Sequence, residues 1–131
     1  MREWHGEKAR KVNEIRSHRD LEVYKQSMDF VESVYKLTKK LPSDEKFGLI
    51  SQMRRAAVSI PSNIAEGSAR KNTKEYIQFL YISLSSLSEL ETQIEICVRL
   101  GFINFDTEIN NKIHHLNSML SGLIVSLKRR S

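Results

Sequence analysis

From position 20 onward, apolar residues recur every three or four places, the spacing that keeps them on one side of a helix. Four such runs follow one another. In the first, Leu21, Tyr24, Met28, Val31 and Tyr35 form a heptad line. Val23, Phe30, Val34, Leu37 and Leu41 form a second line on the same helix, about 120° away at ~100° per residue. Asp20 is a good N-cap for this helix, and Pro42 lies beyond its end. In the second run Ile50, Met53, Ala57, Ile60 and Ile64 share a face. Pro61 sits inside that stripe and cannot donate to the carbonyl of Ala57, yet the stripe runs past it, so a kinked but continuous helix is predicted to about Ala69. The turn Pro42-Ser43-Asp44-Glu45 starts it, with acids in its first turn. A third helix is predicted over residues 73–100, with Asn72 and Glu75 as a capping-box-like start and Gly101 just past the end. Its stripe is Ile77, Leu80, Leu84, Leu87, Glu91, Ile94 and Val98. The fourth begins at Asn104 or Asp106, carries Ile109, Ile113, Leu116, Leu120, Leu123 and Leu127, and ends near Arg129.

Four amphipathic helices with short connections predict an all-α, up-and-down antiparallel four-helix bundle over residues 20–131. Residues 1–19 alternate charges without apolar periodicity and read as a flexible extension, with Trp4 its only large anchor. Two features break the regular pattern. One antiparallel bundle needs about one apolar face per helix, so the line Val23, Phe30, Val34, Leu37 and Leu41 is surplus to a monomer. With Ile82 and Ile96, which point away from the third helix's stripe, it is the expected subunit interface of an oligomer. The second feature is Glu91, which takes a leucine's place in the third stripe. A buried, unpaired carboxylate costs several kcal/mol, so Glu91 is expected in a buried polar network with Arg54 or Asn63, unless it reaches water at a bundle end.

Composition narrows the class. The 131 residues make one domain, 40% hydrophobic and 28% charged, which suffices for a packed core. Only 5 Gly and 2 Pro argue for long helices and against an all-β fold. A lone cysteine, Cys97, rules out an internal disulfide and suits a reducing compartment, so a cytoplasmic location is expected. No signal peptide or membrane-spanning run is visible.

The chemistry that four-helix bundles often carry is not written here. Di-iron sites use Glu-x-x-His pairs, and none of His5, His18, His114 and His115 has an acid three residues before it. There is no Gly-rich phosphate loop, no nucleophile elbow and no Cys-x-x-Cys, so no metal, cofactor, small-molecule substrate or enzymatic activity is expected. The serines between Ser83 and Ser88 read as small side chains that let helices approach. A formal net charge of +5 is compatible with an acidic partner. Arg54, Arg55, Arg70, Lys71 and Lys74, with the C-terminal Lys128, Arg129 and Arg130, are the candidate contacts to RNA or DNA. A salt bridge from Arg55 to Glu66 or to a neighbouring subunit accounts for that arginine equally well. The tyrosines and phenylalanines fall mostly on apolar stripes and read as core rather than as platforms for bases.

The stretch RRAAVSIPSNIAEGSAR, followed by KEYIQFL and SELETQIEI, resembles the small helical proteins encoded in intervening sequences of bacterial 23S ribosomal RNA genes. The resemblance covers residues 20–102 well and continues more loosely to Lys128. It implies a left-handed bundle that assembles as a ring-like homopentamer, and it implies no settled activity. A distant branch of similar bundles assists reverse transcriptases and binds nucleic acid. The expected function is thus a non-enzymatic oligomeric scaffold associated with nucleic acid. The alternative is a protein–protein interaction module whose basic charge is incidental.

Overall fold

The computed structural model describes residues 17–18 and 21–130. Residues 1–16 and 19 of the predicted extension, with Trp4, and the cap at Asp20 lie outside them. Four helices form: α1 over Glu22–Thr38, α2 over Leu49–Ser68, α3 over Thr73–Arg99 and α4 over Thr107–Arg130. A single 3₁₀ turn, Ser43–Glu45, interrupts the α1–α2 connection. Each helix packs against its neighbours in the chain, and α1 closes the circuit against α4. Bonds between helices show that neighbours run antiparallel. Arg54 near the start of α2 bonds Thr38 at the end of α1, Ser83 of α3 bonds Ile60 of α2, and Lys112 of α4 bonds Ser33 of α1.

Local signals set the helix ends. Asn72 Oδ1 accepts from the Glu75 amide at 2.9 Å, and Asp106 Oδ1 accepts from the Ile109 amide at 3.1 Å. Both satisfy amides that have no partner within the helix. Gly101, at φ 79°, reverses the chain after α3. Its amide bonds the Val98 carbonyl and the Phe102 amide bonds that of Cys97, the Schellman pattern. One boundary differs from expectation. Asp44 and Glu45 lie in the 3₁₀ turn, and α2 begins only after Gly48; Glu45 Oε1 still reaches the helix by accepting from the Leu49 amide at 3.2 Å. The helix continues through Pro61, as its stripe predicts.

The core corrects the reading of α1. Val23, Phe30, Val34, Leu37 and Leu41, expected between subunits, are buried inside the chain itself. In the heptad line, Leu21, Tyr24 and Val31 are half-buried against the core, while Met28, 44% exposed, and Tyr35 face outward. The physical reason lies in the side chains. The inward line is aliphatic and Phe, which lose nothing polar on burial, whereas two tyrosine hydroxyls on the other line are better left at the surface. Ser27 and Thr38 are buried beside the inward line and cap their own hydroxyls on backbone carbonyls of Tyr24 and Tyr35. Ile82 and Ile96 are exposed.

On α3 the seam also turns. Ile77, Leu80 and Leu87 are buried as predicted, but the line then passes to Leu90, Gln93 and Cys97. A straight helix drifts about 20° per heptad from a strict seven-residue repeat. Buried Ser83 and Ser86 also bring the α2-facing side of α3 inward. The predicted α4 stripe is buried except at Leu123, which is half-buried while Ile124 fills the core. Among the described residues no helix is long and apolar enough to cross a membrane.

Candidate nucleic-acid interface

The site begins with Gly67, near the end of α2. A Cβ there would lie 2.8 Å from Phe79 Cβ, 2.9 Å from Tyr76 Cδ1 and 3.2 Å from the Tyr76 carbonyl oxygen. Only a residue without a side chain lets α3 approach this closely. The chain then turns through residues 69–72 and re-enters a helix on the Asn72 cap. Arg70 leaves this turn and lays its guanidinium over the Phe79 ring, 4.8 Å from the centroid, while its Nη2 donates to Glu66 Oε2 at 2.8 Å. That ion pair is solvent-exposed and worth little by itself; the aromatic contact fixes where the cation sits.

The antiparallel course brings the end of α4 to the same end of the bundle. Lys128 Nζ donates to the Tyr81 hydroxyl at 2.9 Å and lies 5.4 Å from the ring centroid. Burial pushes the Tyr76 phenol up from its ordinary pKa, and the nearby Arg130 charge draws it partly back. Arg70, Lys71, Lys74, Lys128, Arg129 and Arg130 are all exposed and belong to one end of the molecule. Exposed Glu66 and Glu75 are the acids on α2 and α3 beside them, and Glu22 starts α1 at this end. Such an array supplies point charges for phosphates, with aromatic rings between them. The aromatics are the part that sequence reasoning missed. Phe79 is half-buried and Tyr81 exposed, so neither is a core residue.

Arg54 and Arg55 do not join this array; they lie in the other half of α2. Arg54 is half-buried, donates through Nε to Thr38 Oγ1 at 2.9 Å, and stacks on the Tyr35 ring at 4.4 Å. Arg55 is exposed and makes no salt bridge to Glu66, whose carboxylate holds Arg70.

The expected Arg54–Asn63–Glu91 network does not form. Glu91 is exposed on the side of α3 that faces α4, because the seam has rotated away from it. Asn63 donates to the Ser59 carbonyl at 2.8 Å and to its hydroxyl at 2.9 Å. The polar seam that does exist joins α2 to α3. Ser86 donates to the Ser59 hydroxyl and Ser83 to the Ile60 carbonyl, both at 2.9 Å. Gln93, not Glu91, is buried with Ser83 and Ser86 on α3; its Nε2 donates to Glu89 at 3.2 Å, and its Oε1 has no partner among the described residues. Cys97 is buried against Met53, sulfur to sulfur at 3.7 Å, and burial pushes its thiol pKa up, with the Glu45 charge adding to it. His114 and His115 are exposed, and no group of three potential metal ligands gathers among the described residues.

Four antiparallel helices joined in chain order, with no strand among the described residues, define an up-and-down four-helix bundle protein. Its sequence matches the 23S rRNA-intervening sequence protein family over residues 19–122, and the chain belongs to that family. It is also similar to a solved structure from Bacteroides thetaiotaomicron, described as a protein with unknown function from the S23 ribosomal protein family. The two share 28% identity at a TM-score of 0.72, over 78% of this chain and 97% of that one. A search of curated proteins finds no significant match.

Proposed function

We propose that this protein is a non-enzymatic, oligomeric helical scaffold whose basic end binds RNA or another nucleic acid. The observation that carries this reading is the gathering of Arg70, Lys71, Lys74, Lys128, Arg129 and Arg130 at one end, with Phe79 and Tyr81 holding two of those cations by their rings. The family's name points to ribosomal RNA as the first nucleic acid to try. A count of five subunits rests on the family resemblance alone. A second reading, a protein–protein interaction module, draws support from exposed apolar residues such as Tyr35, Phe47 and Val58.

Gel-shift titrations against 23S ribosomal RNA fragments at several salt concentrations test the choice. Affinity is expected to fall steeply with salt. Arg70→Ala with Lys71→Ala should lower affinity and reduce the slope of log affinity against log salt by about 1 for each phosphate no longer neutralised. Binding that ignores salt, or none at low salt, favours the second reading.

A further inference from the structure

Between α2 and α3 runs a polar cleft that neither the core nor the basic end uses. Ser51, Arg55 and Ser59 line it from α2, Ser86 and Glu89 from α3, and Phe47 from the turn before α2, around a volume of about 530 Å³. Helix register sets its two charges opposite each other. Ser86 is bonded to Ser59 and Ser83 to Ile60, so one turn back along α2 and one turn on along α3 bring Arg55 level with Glu89. Opposite charges so placed would ordinarily pair. No ion pair joins them, and Arg55 has no hydrogen-bond partner among the described residues.

The carboxylate is held by another group. Glu89 Oε2 accepts from Gln93 Nε2 at 3.2 Å, and Gln93 is 5% exposed, so a buried amide anchors the glutamate beside the cleft. Lone pairs on both carboxylate oxygens are left over, as are the donors of the Arg55 guanidinium. Ser59 Oγ accepts from Asn63 and from Ser86, both at 2.9 Å, so its own proton remains to be donated. Phe47 is 88% exposed, an unusual state for so large an apolar ring, and offers a face for stacking. A carboxylate already oriented and a ring already in the open lose little freedom when a ligand arrives.

We propose that this cleft binds an unpaired guanine ring, with Glu89 accepting from its N1–H and N2–H groups, Arg55 donating to its O6 and N7, and Phe47 stacking on its face. Guanine carries two donors side by side and two acceptors next to them, so one edge satisfies a carboxylate and a guanidinium that do not touch each other. Adenine would set its N1 lone pair against the carboxylate. Uracil and cytosine each offer a single donor group on that edge, flanked by an acceptor. A guanine already paired in a duplex has the same edge occupied, so the cleft takes single strands or free nucleotides. In a strand, this site rests on the proposed function; with a free guanine nucleotide it does not.

The full chain, isotope-labelled for NMR, is titrated with GMP and with AMP, and with single-stranded uridine RNA of one length carrying one guanosine or none. GMP should shift the Arg55 and Gln93 side-chain N–H signals and bind about tenfold more tightly than AMP. The RNA with guanosine should exceed the RNA without it by a similar factor if strands use the cleft. Glu89→Gln should erase the preference, because the amide sets a donor against a donor, and should keep its helicity because Glu89 is exposed. Phe47→Ala should weaken GMP and AMP alike. A guanosine preference with RNA and none with GMP assigns the ring to a strand, and the converse assigns it to a free nucleotide. Equal affinity for guanine and adenine in both forms overturns the site, as does a preference that survives Glu89→Gln. RNA that binds without guanosine preference, and loses affinity on Arg70→Ala with Lys71→Ala, overturns the strand form of the site and leaves the proposed function intact. GMP preference without any RNA binding keeps the cleft and overturns the proposed function instead.

Discussion

The two ends of the bundle handle charge differently. At the end built by the α2–α3 turn and the last turn of α4, Arg70 and Lys128 rest on aromatic rings, Arg70 also pairs with Glu66, and the cations outnumber the acids beside them. At the other end, one groove is lined by cations and another by carboxylates, each beside apolar surface, while the groove between α1 and α4 mixes the two. The lesson is that the balance of charge says less than its partition. An excess of cations suits a polyanion of any sequence, whereas sorted charge around apolar surface suits one complementary partner.

Both ends hang on one core, and the largest expected effect tests that. Phe30 is 1% exposed in the centre of α1, so Phe30→Ala should cost about 3–5 kcal/mol in chemical denaturation. Met28→Ala, on the outward line, should cost far less. Equal costs would mean that the two lines of α1 share the core and that the inward assignment is wrong. A smaller effect breaks one end alone. Gly67→Ala would raise helix propensity in an open site, but here its Cβ meets Phe79 and the Tyr76 backbone, and overpacking should cost about 1–3 kcal/mol. The same variant should weaken RNA binding by displacing α3 from the turn that carries Arg70, while leaving self-association unchanged. The smallest effect sharpens the contrast at the far end. Glu91→Ala should change stability by no more than about 0.5 kcal/mol, as for other exposed positions. A drop of several kcal/mol would return Glu91 to a buried network.

Much of this fold was legible because helix ends are encoded locally. Asn72, Asp106 and Gly101 mark boundaries by hydrogen bonds within a few residues of themselves, and a reader of the chain sees both partners. Which face of α1 turns inward was not legible by periodicity, since both lines are apolar and equally regular. The usable signal was chemical: hydroxyls of Tyr24 and Tyr35 mark one line for the surface. Glu91 was misplaced because a seven-residue repeat was extended through α3 where the helix follows its own pitch. Extending the line through Ser83, Ser86 and Leu90 would have led to Gln93 instead. The basic end was visible only as separate clusters. Residues 70–74 and 128–130 become neighbours through antiparallel packing, and their aromatic partners were taken for core because Phe79 and Tyr81 stand next to core positions.

The antiparallel circuit gives the basic end a meaning that a single copy lacks. In a ring closed by one repeated edge contact, rotation about the symmetry axis leaves the direction along that axis unchanged, so every copy points its α2–α3 turn to the same side. The assembly would be a disc with one cationic rim, not a sphere with scattered charge. A polyanion held by one copy then meets the next at high local concentration, and avidity replaces strength in any single contact. On the proposed function, each chain would then bind weakly and release readily, while the rim as a whole would hold an RNA strand.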